Sequence, residues 1–340
     1  MNVSYEIVPD QYRAKILDGK MRDGLLDSLK YLAQTFKEQK NKVFKELQKI
    51  ITSMDAGDLY PPSTFGLYYE VVGEILVEDK IDNEDKIFTA LGNETPINSK
   101  AIQIIGLNEL NPPEHRMLYQ RLMDTDPDTS FIIIAPPDAL VISAKNKFHK
   151  ALEKMDLILP ELANEFKALI RQVIFVKGDD SLKYGFAGGS SYMLWGALFL
   201  NVEEHYEDLD LIEAMSHESG HTLLFGFSSE EPLVLNDDSD LYSSPLRDDL
   251  RPMDGIYHAT YVCARICWTM AELLKSKQLL QEEIQSVKSR LNNNIDNFCH
   301  GYKVIKQSGK LTFTGEAIME KTYAFMLTIM NDSQISKTYP

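Results

Sequence analysis

Hydrophobic residues recur at helical spacing over much of the chain. Between residues 11 and 55, leucine and isoleucine alternate with lysine, glutamate and glutamine, and Leu25 and Leu29 mark the repeat. Such spacing places the apolar side chains on one face, which predicts one long or two consecutive amphipathic helices. Pro61 and Pro62 end the pattern, because proline disrupts the interior of a helix.

The rest of the chain predicts more helices and a few short strands. Helical spacing is found at residues 68–77, 140–170 (with a break near Pro160), 255–274, 281–302 and 315–330. Turn residues surround Asn83 and Gly92. Short apolar runs, typical of buried strands, are found at residues 131–134, 173–176 and 197–202. We therefore predict an α+β fold that is predominantly helical with a small sheet.

The excess of acidic residues limits the kinds of partner that the protein can bind. Of 340 residues, 51 are acidic and 35 basic, which gives a net charge of −16. This negative charge argues against a nucleic-acid backbone or an anionic membrane as partner, and it permits a basic peptide. The first ten residues lack the basic and apolar segments of a secretory signal, so the expected location is the cytoplasm.

The longest apolar segment, residues 256–274, contains His258, Arg265 and Glu272. Because these side chains are costly in lipid, we predict a buried helix of a soluble protein and no membrane span. The same segment holds Cys263 and Cys267, one helical turn apart. Buried free thiols are the favoured interpretation, and a metal clip is the alternative.

An H-E-x-x-H motif is formed by His217, Glu218 and His221 within a predicted helix that Asp208 or Asp210 is suited to cap. Residues four apart lie one above the other on a helix, so both imidazoles can reach one cation. Glu218 points about a third of a turn away, where it suits a metal-bound water or a second partner better than a shared ligand position. The motif therefore predicts a metal site in the C-terminal half.

Two histidines make a weak metal site, so a third ligand is expected. Two zinc-peptidase patterns are not met. Leu224 and Phe227 stand where one pattern has glycine and histidine, and the following helix offers the other pattern only the distant Glu272. That helix carries His258 on a largely apolar face, where a histidine is often a satisfied core residue but, beside the motif, is interpreted as a ligand. Asp254 is the alternative, and would give two histidines and one carboxylate.

Three arginines lie close to these positions in the sequence. Arg265 follows His258 by seven positions on the same helix face, and helical side chains lean towards the N-terminus. Its expected partner is either a carboxylate of the acidic loop at residues 228–249 or a carboxylate-bearing ligand. Together with Arg247 and Arg251, it favours bidentate recognition of a carboxylate near the metal.

Four segments around these residues resemble a known family. They are S-H-E-S-G-H from Ser216, Y-S-S-P-L-R from Tyr242, R-P at Arg251 and G-I-Y-H-A from Gly255. Upstream, G-G-S-S from Gly188 and W-G-A-L-F-L-N from Trp195 are similar too. The set resembles the HExxH-type peptide-modification proteins of ribosomal natural-product clusters, over roughly residues 185–275. That family is described as 2-oxoglutarate- and iron-dependent peptide β-hydroxylases.

The resemblance implies an Fe(II) site whose ligands are His217, His221 and His258. It implies that the distal carboxylate of 2-oxoglutarate is bound by Arg247, Arg251 or Arg265. Glu218 would orient a ligand or a water. The substrate-binding candidates, from the upstream segments, are Ser190, Ser191 and Asn201. The implied reaction uses dioxygen to hydroxylate the β-carbon of a residue in a ribosomally made precursor peptide.

Two other classes of function compete with this hypothesis. In a zinc metallopeptidase, Glu218 would act as general base for a zinc-bound water, and an edge strand at residues 197–201 would align the peptide. The alternative interpretation is that residues 197–201 form a strand of the protein core. A non-catalytic peptide-binding scaffold with a structural or vestigial site is the third class.

The organisation of the chain is predicted from where the motifs lie. Residues 1–125 are predicted to be an N-terminal helical region, and residues 126–335 a metal-binding catalytic region. Because no low-complexity linker separates them, a single compact unit is the alternative. The N-terminal helices either dock a leader peptide or serve only in packing.

Overall fold

A computed structural model describes residues 3–73, 84–97, 101–123, 132–179, 186–204 and 207–332 of the chain. The α-helices in these residues are α1 Gln11–Lys40, α2 Lys45–Asp55, α3 Pro62–Val71, α4 Glu84–Asn93, α5 Glu114–Met123, α6 Asp138–Ile158, α7 Pro160–Leu169, α8 Asp208–Phe227, α9 Met253–Ser276, α10 Gln281–Ser308 and α11 Phe313–Asn331. The strands are β1 Gln103–Gly106, β2 Ile133–Ile134, β3 Gln172–Gly178, β4 Gly188–Ser190, β5 Ala197–Asn201, β6 Leu241–Ser243 and β7 Leu250–Pro252. The predicted mostly helical fold with a small sheet is confirmed.

Local patterns placed most of these elements correctly. The N-terminal pattern forms two consecutive helices, and Leu159 and Pro160 mark the predicted break between α6 and α7. The strand predicted at residues 131–134 is reduced to Ile133–Ile134, and Phe131 lies outside the described residues, as does Asn83.

The turn predicted around Gly92 is wrong, because Gly92 lies inside α4. A side chain at this position would collide with Cβ of Glu46 on α2. The glycine therefore permits a close approach of two helices.

The larger sheet is mixed and has the strand order β1-β3-β5-β4. β1, β3 and β5 are parallel, β4 is antiparallel to β5, and β2 pairs antiparallel with β3. The apolar run Val173–Val176 of β3 is fully buried, as are all residues of β5. Continuous burial of this kind is usual for parallel strands covered on both faces, which explains why these strands read as unbroken apolar runs.

The chain divides into two compact units, each assembled from separated segments. Unit 1 comprises Met1–Leu17, Lys147–Ala168 and Tyr206–Pro340, and unit 2 comprises Asp18–Asn146 and Leu169–His205. Residues 1–125 are thus shared between the two units. Among the described helices, none has the length and apolar content needed to cross a lipid bilayer.

Within unit 1, α9 is the central helix and is buried along most of its length. It packs against α8, α10 and α11. Two glycines allow the closest approaches to α9. Gly220 of α8 would bring a Cβ to 3.1 Å from Cγ1 of Val262, and Gly301 of α10 faces Thr260. Gly220, the glycine within the H-E-x-x-H motif, is therefore explained by the close packing of α8 on α9.

We expect Gly301→Ala to destabilise unit 1. An added Cβ would collide with Oγ1 of Thr260, which is held by a 2.7 Å hydrogen bond to the carbonyl of Ile256, and would lie 3.2 Å from Cγ of Pro245. Overpacking costs about 1–3 kcal/mol, which exceeds the gain of up to about 1 kcal/mol that alanine brings to a helix.

Thermal unfolding of the two purified proteins measures this effect. Gly255→Ala is the matched control, because its Cβ would meet only Cβ of Arg251 at an ordinary 3.7 Å. A Gly301→Ala protein as stable as the control would show that α9 and α10 do not pack as described.

Candidate metal centre

The H-E-x-x-H helix is α8, and its first turn is fixed by acidic side chains. Glu207 is the N-cap residue, and its backbone N–H donates to Oδ2 of Asp210 at 2.9 Å. Arg290 of α10 donates to Oδ1 of Asp210 at 2.6 Å and to Oε2 of Glu213 at 2.5 Å. Acidic groups in the first turn also interact favourably with the helix dipole. The motif therefore stands on a helix that is anchored to α10.

The three predicted histidine ligands lie together in unit 1. Nε2 of His217 lies 3.1 Å from Nε2 of His221, and Nδ1 of His221 lies 3.0 Å from Nδ1 of His258. The ring of His258 stacks on that of His221, with centroids 5.3 Å apart and planes inclined by 17°. Phe225, one turn after His221 on α8, packs against His258 at 5.4 Å. Sequence spacing brought His217 and His221 together, and the packing of α9 on α8 adds His258.

All three imidazoles are neutral near pH 7. Burial lowers the pKa of His217 to about 4. Burial, with the neighbouring His217 and His258, holds the pKa of His221 well below its usual range. Burial also lowers the pKa of His258, against the opposing effect of the Asp254 carboxylate. A neutral imidazole has one nitrogen lone pair available, which is the form that binds a metal ion.

The cluster fits two ligands of a cation better than three. At ordinary metal–nitrogen bond lengths, two imidazole nitrogens on one tetrahedral ion lie about 3.3 Å apart, close to the 3.1 Å between His217 and His221. His258, however, contacts the opposite nitrogen of the His221 ring. Within the described parts of the chain, no three His, Cys, Asp or Glu side chains are arranged as a group that could hold a metal ion. Convergence on one cation requires His258 to turn, or Asp254 to replace it.

Glu218 is 5% exposed and lies on the buried side of α8. Its carbonyl accepts a hydrogen bond from Oγ1 of Thr222 at 3.1 Å. One hydroxyl pair ties this face of the helix to α9, because Oγ of Ser216 and Oγ1 of Thr269 are 2.8 Å apart. Oγ of Ser219 donates within α8, to the carbonyl of Ser216. The motif helix is therefore fixed to α9 by polar as well as apolar contacts.

Arg265 has a carboxylate partner within the protein. Its guanidinium is fully buried and donates to Oε1 of Glu165 on α7 and, at 2.6 Å, to the carbonyl of Ile7. Arg13 of α1 donates to the other oxygen, Oε2 of Glu165, at 2.7 Å. The partner is thus neither the acidic loop nor an added ligand. Sequence reasoning missed the triad Arg13–Glu165–Arg265, although Glu165 among the apolar residues of α7 was a signal.

Arg251 lies on β7, the strand that leads into α9, and Arg247 lies in the connection between β6 and β7. Nε of Arg247 donates to Oδ1 of Asp249 at 3.2 Å, and Nη1 of Arg251 donates to Oδ2 of the same carboxylate at 3.3 Å. These arginines hold the pKa of Asp249 below its usual value, against the effect of burial. Both side chains are partly exposed, unlike Arg265. Two guanidiniums therefore already share one carboxylate near the start of the His258 helix.

The predicted substrate-binding residues belong to unit 2. Oγ of Ser191 donates to the carbonyl of Leu122 at 2.7 Å, and Nδ2 of Asn201 donates to the carbonyl of Phe186 at 2.7 Å. Ser190 is the last residue of β4 and pairs with β5. The side chains of Ser191 and Asn201 thus have structural partners within unit 2, and a role of these residues in substrate binding stays a prediction.

Cys263 and Cys267 are buried free thiols, as the sequence predicted. Burial raises the pKa of Cys263 to about 12, so its thiol is protonated. Sγ of Cys267 donates weakly to the carbonyl of Leu291 at 3.9 Å. Their place is the apolar packing between α9 and α10.

The sequence matches no protein-family model, and no curated protein shows significant similarity to it.

Proposed function

We propose that the protein is an Fe(II)- and 2-oxoglutarate-dependent oxygenase that hydroxylates the β-carbon of a residue in a ribosomally made precursor peptide. The observation that carries this proposal is the cluster of neutral imidazoles from α8 and α9. The two partly exposed arginines, Arg247 between β6 and β7 and Arg251 on β7, favour a carboxylate co-substrate. The resemblance in sequence supplies the peptide as substrate.

The metal ligands in this proposal are His217 and His221, each through Nε2. With Nδ1 of His221 donating to Nδ1 of His258, Nε2 of His221 carries the lone pair, and the ion would replace the contact of this nitrogen with Nε2 of His217. His258 is then either the third ligand, after its ring turns, or the group that orients His221. In the second case Asp254, one turn earlier on α9, supplies the third ligand, giving two histidines and one carboxylate.

When bound with 2-oxoglutarate, the ferrous ion supplies the oxidation of an aliphatic C–H bond by dioxygen, with succinate and carbon dioxide as co-products. Arg247 and Arg251 would hold the distal carboxylate of the co-substrate in exchange for Asp249. Arg265 is the weakest of the three arginine candidates, because releasing it would leave Glu165 buried with one partner fewer. Glu218 would orient a ligand or a water next to the ion.

A zinc metallopeptidase is the second candidate. The spacing of 3.1 Å between Nε2 of His217 and Nε2 of His221 favours it equally, since imidazole binds zinc as readily as iron. Glu218 would then be the general base for a zinc-bound water. The carboxylate-binding arginines have less use in that reaction.

The remaining parts of the proposal concern partner and location. The net charge of −16 suits a basic segment of the peptide and disfavours nucleic acid. A cytoplasmic location fits a protein that modifies newly made peptides. The helices of the first 125 residues are the candidate docking site for a leader peptide.

We expect the protein reconstituted anaerobically with Fe(II) to develop a weak visible absorption band when 2-oxoglutarate is added, and to lose it on exposure to oxygen. Arg247→Gln and Arg251→Gln should each raise the 2-oxoglutarate concentration needed by about tenfold or more, because a bidentate charge pair is lost. The titration is followed by absorbance in the visible range.

Arg116→Gln serves as the control, because Arg116 is an exposed side chain of unit 2 that bonds to Asn108. Absence of the band, together with tightly held zinc and peptide cleavage that disappears in Glu218→Gln, would reject the oxygenase and favour the peptidase.

A further inference from the structure

Unit 2 contains a cavity of about 410 Å³ whose floor holds a buried acid and a buried histidine. Glu94 follows α4 and is 5% exposed, and His115 of α5 is 7% exposed. The volume is at the lower end of the range for small-molecule sites. All the residues that line this cavity belong to unit 2, so its chemistry is independent of the proposed metal centre.

The Glu94 carboxylate is held by three donors. Oε2 accepts from Oγ of Ser63 at 2.6 Å and from Oγ1 of Thr64 at 3.1 Å, and Oε1 accepts from Nε2 of His115 at 2.7 Å. All three contacts are donors, so both oxygens of the carboxylate act as acceptors. Glu94 therefore contributes to the cavity a carboxylate that is fixed in position.

The contact with Glu94 determines which nitrogen of the His115 ring carries the hydrogen and which one is the acceptor. An ionised carboxylate can only accept, so Nε2 of His115 carries the hydrogen. In a ring that carries only this one hydrogen, Nδ1 is an acceptor. In the part of the chain that the structure describes, Nδ1 has no hydrogen-bond partner, and it is not sealed from solvent. An acceptor thus stands open at the cavity.

The other walls supply apolar surface and no positive charge. Glu94 and His115 are the only ionisable groups among the described residues that line the cavity. Ile97, Ile105 and Leu110 form apolar wall. The carboxamide of Gln172 is already engaged, because it accepts from Tyr119 at 2.6 Å and donates to Gln103 at 2.7 Å. A ligand that suits these walls brings a hydrogen-bond donor, a positive charge and a short apolar chain.

We propose that this cavity is a binding site for a small primary amine in its ammonium form. The ammonium group donates to Nδ1 of His115, the charge of Glu94 balances it, and the alkyl chain lies against Ile97, Ile105 and Leu110. An anion is disfavoured by Glu94, and a neutral alcohol satisfies Nδ1 without compensating the charge.

The test is a titration of the full-length protein, labelled with nitrogen-15, with n-butylammonium, n-butanol and butyrate. Histidine side-chain spectra should first show His115 neutral, with the hydrogen on Nε2. Butylammonium should then shift the Nδ1 signal and bind about tenfold or more tightly than butanol, and butyrate should not bind. A His115 ring protonated on both nitrogens, or equal binding of butanol and butylammonium, overturns the proposal.

A variant tests the role of the carboxylate. Glu94→Gln keeps an oxygen that accepts from Ser63 and Thr64, removes the negative charge and places an amide donor against Nε2 of His115, which moves the hydrogen of the ring to Nδ1. Both changes act against an ammonium donor, so the variant should abolish the preference for butylammonium over butanol. Glu109→Gln is the control, an exposed carboxylate of unit 2 paired with Lys145. If Glu94→Gln does not fold, the comparison of the three probes on the unaltered protein decides alone.

Discussion

His221→Ala is expected to lower the affinity for Fe(II) or Zn(II) by at least about a hundredfold, and with it to remove the spectral response to 2-oxoglutarate. His221 is the residue through which the cluster is connected, since one of its nitrogens faces His217 and the other faces His258. Its removal takes away one ligand and leaves the other two imidazoles unconnected. A competition titration with a metal-sensitive dye measures the affinity.

The matched control is His300→Ala. His300 is an exposed histidine of unit 1 that bonds to Oγ of Ser243 at 3.1 Å, and its loss should leave metal affinity unchanged. In the same titration, a large loss in His258→Ala or in Asp254→Asn identifies the third ligand. Metal affinity in His221→Ala equal to that of the unaltered protein would refute the metal centre.

The second large effect concerns stability: Glu165→Gln should lower the free energy of unfolding by about 3–5 kcal/mol. Glu165 is fully buried between Arg13 and Arg265, so the substitution leaves two buried guanidiniums without a counter-charge. The pKa of Arg13 is held above its usual value by Glu165, against burial, which acts to lower it. Urea-induced unfolding followed by circular dichroism measures the loss.

Lys275→Ala tests whether any broken ion pair has this effect. Lys275 pairs with Glu272 on the exposed side of α9, and such pairs contribute about 0–1 kcal/mol. Replacing all three members of the triad by apolar residues (Arg13→Met, Glu165→Leu, Arg265→Met) should recover most of the stability, because the burial of charge is avoided. A loss below about 1 kcal/mol in Glu165→Gln would mean that the triad does not support unit 1.

The helices and strands that the sequence predicted are those whose pattern is visible in neighbouring residues. Helical spacing placed α1, α8 and α9, and unbroken apolar runs placed β3 and β5, because periodicity and burial act over neighbouring residues. The pair His217–His221 follows from helical geometry alone.

Features that join distant segments had no such signal. The partner of Arg265 lies one hundred residues earlier in the chain, and Glu94 and His115 meet only after α4 and α5 have both packed on α3. The nitrogen that His258 presents to His221 depends on side-chain rotation, which no spacing encodes. Gly92 resembles a turn residue locally, and its role is set by a helix packed against it.

The discontinuous make-up of the two units has a consequence for synthesis on the ribosome. Unit 2 has all its segments once residue 205 has been made, whereas unit 1 needs the chain as far as α11. The triad Arg13–Glu165–Arg265 therefore cannot be completed until the one hundred residues between Glu165 and Arg265 have been translated. During that interval the first segment of unit 1 exposes Ile7, Ala14 and Leu17, which are buried in the folded protein, and we expect the nascent chain to depend on chaperones until its last third emerges.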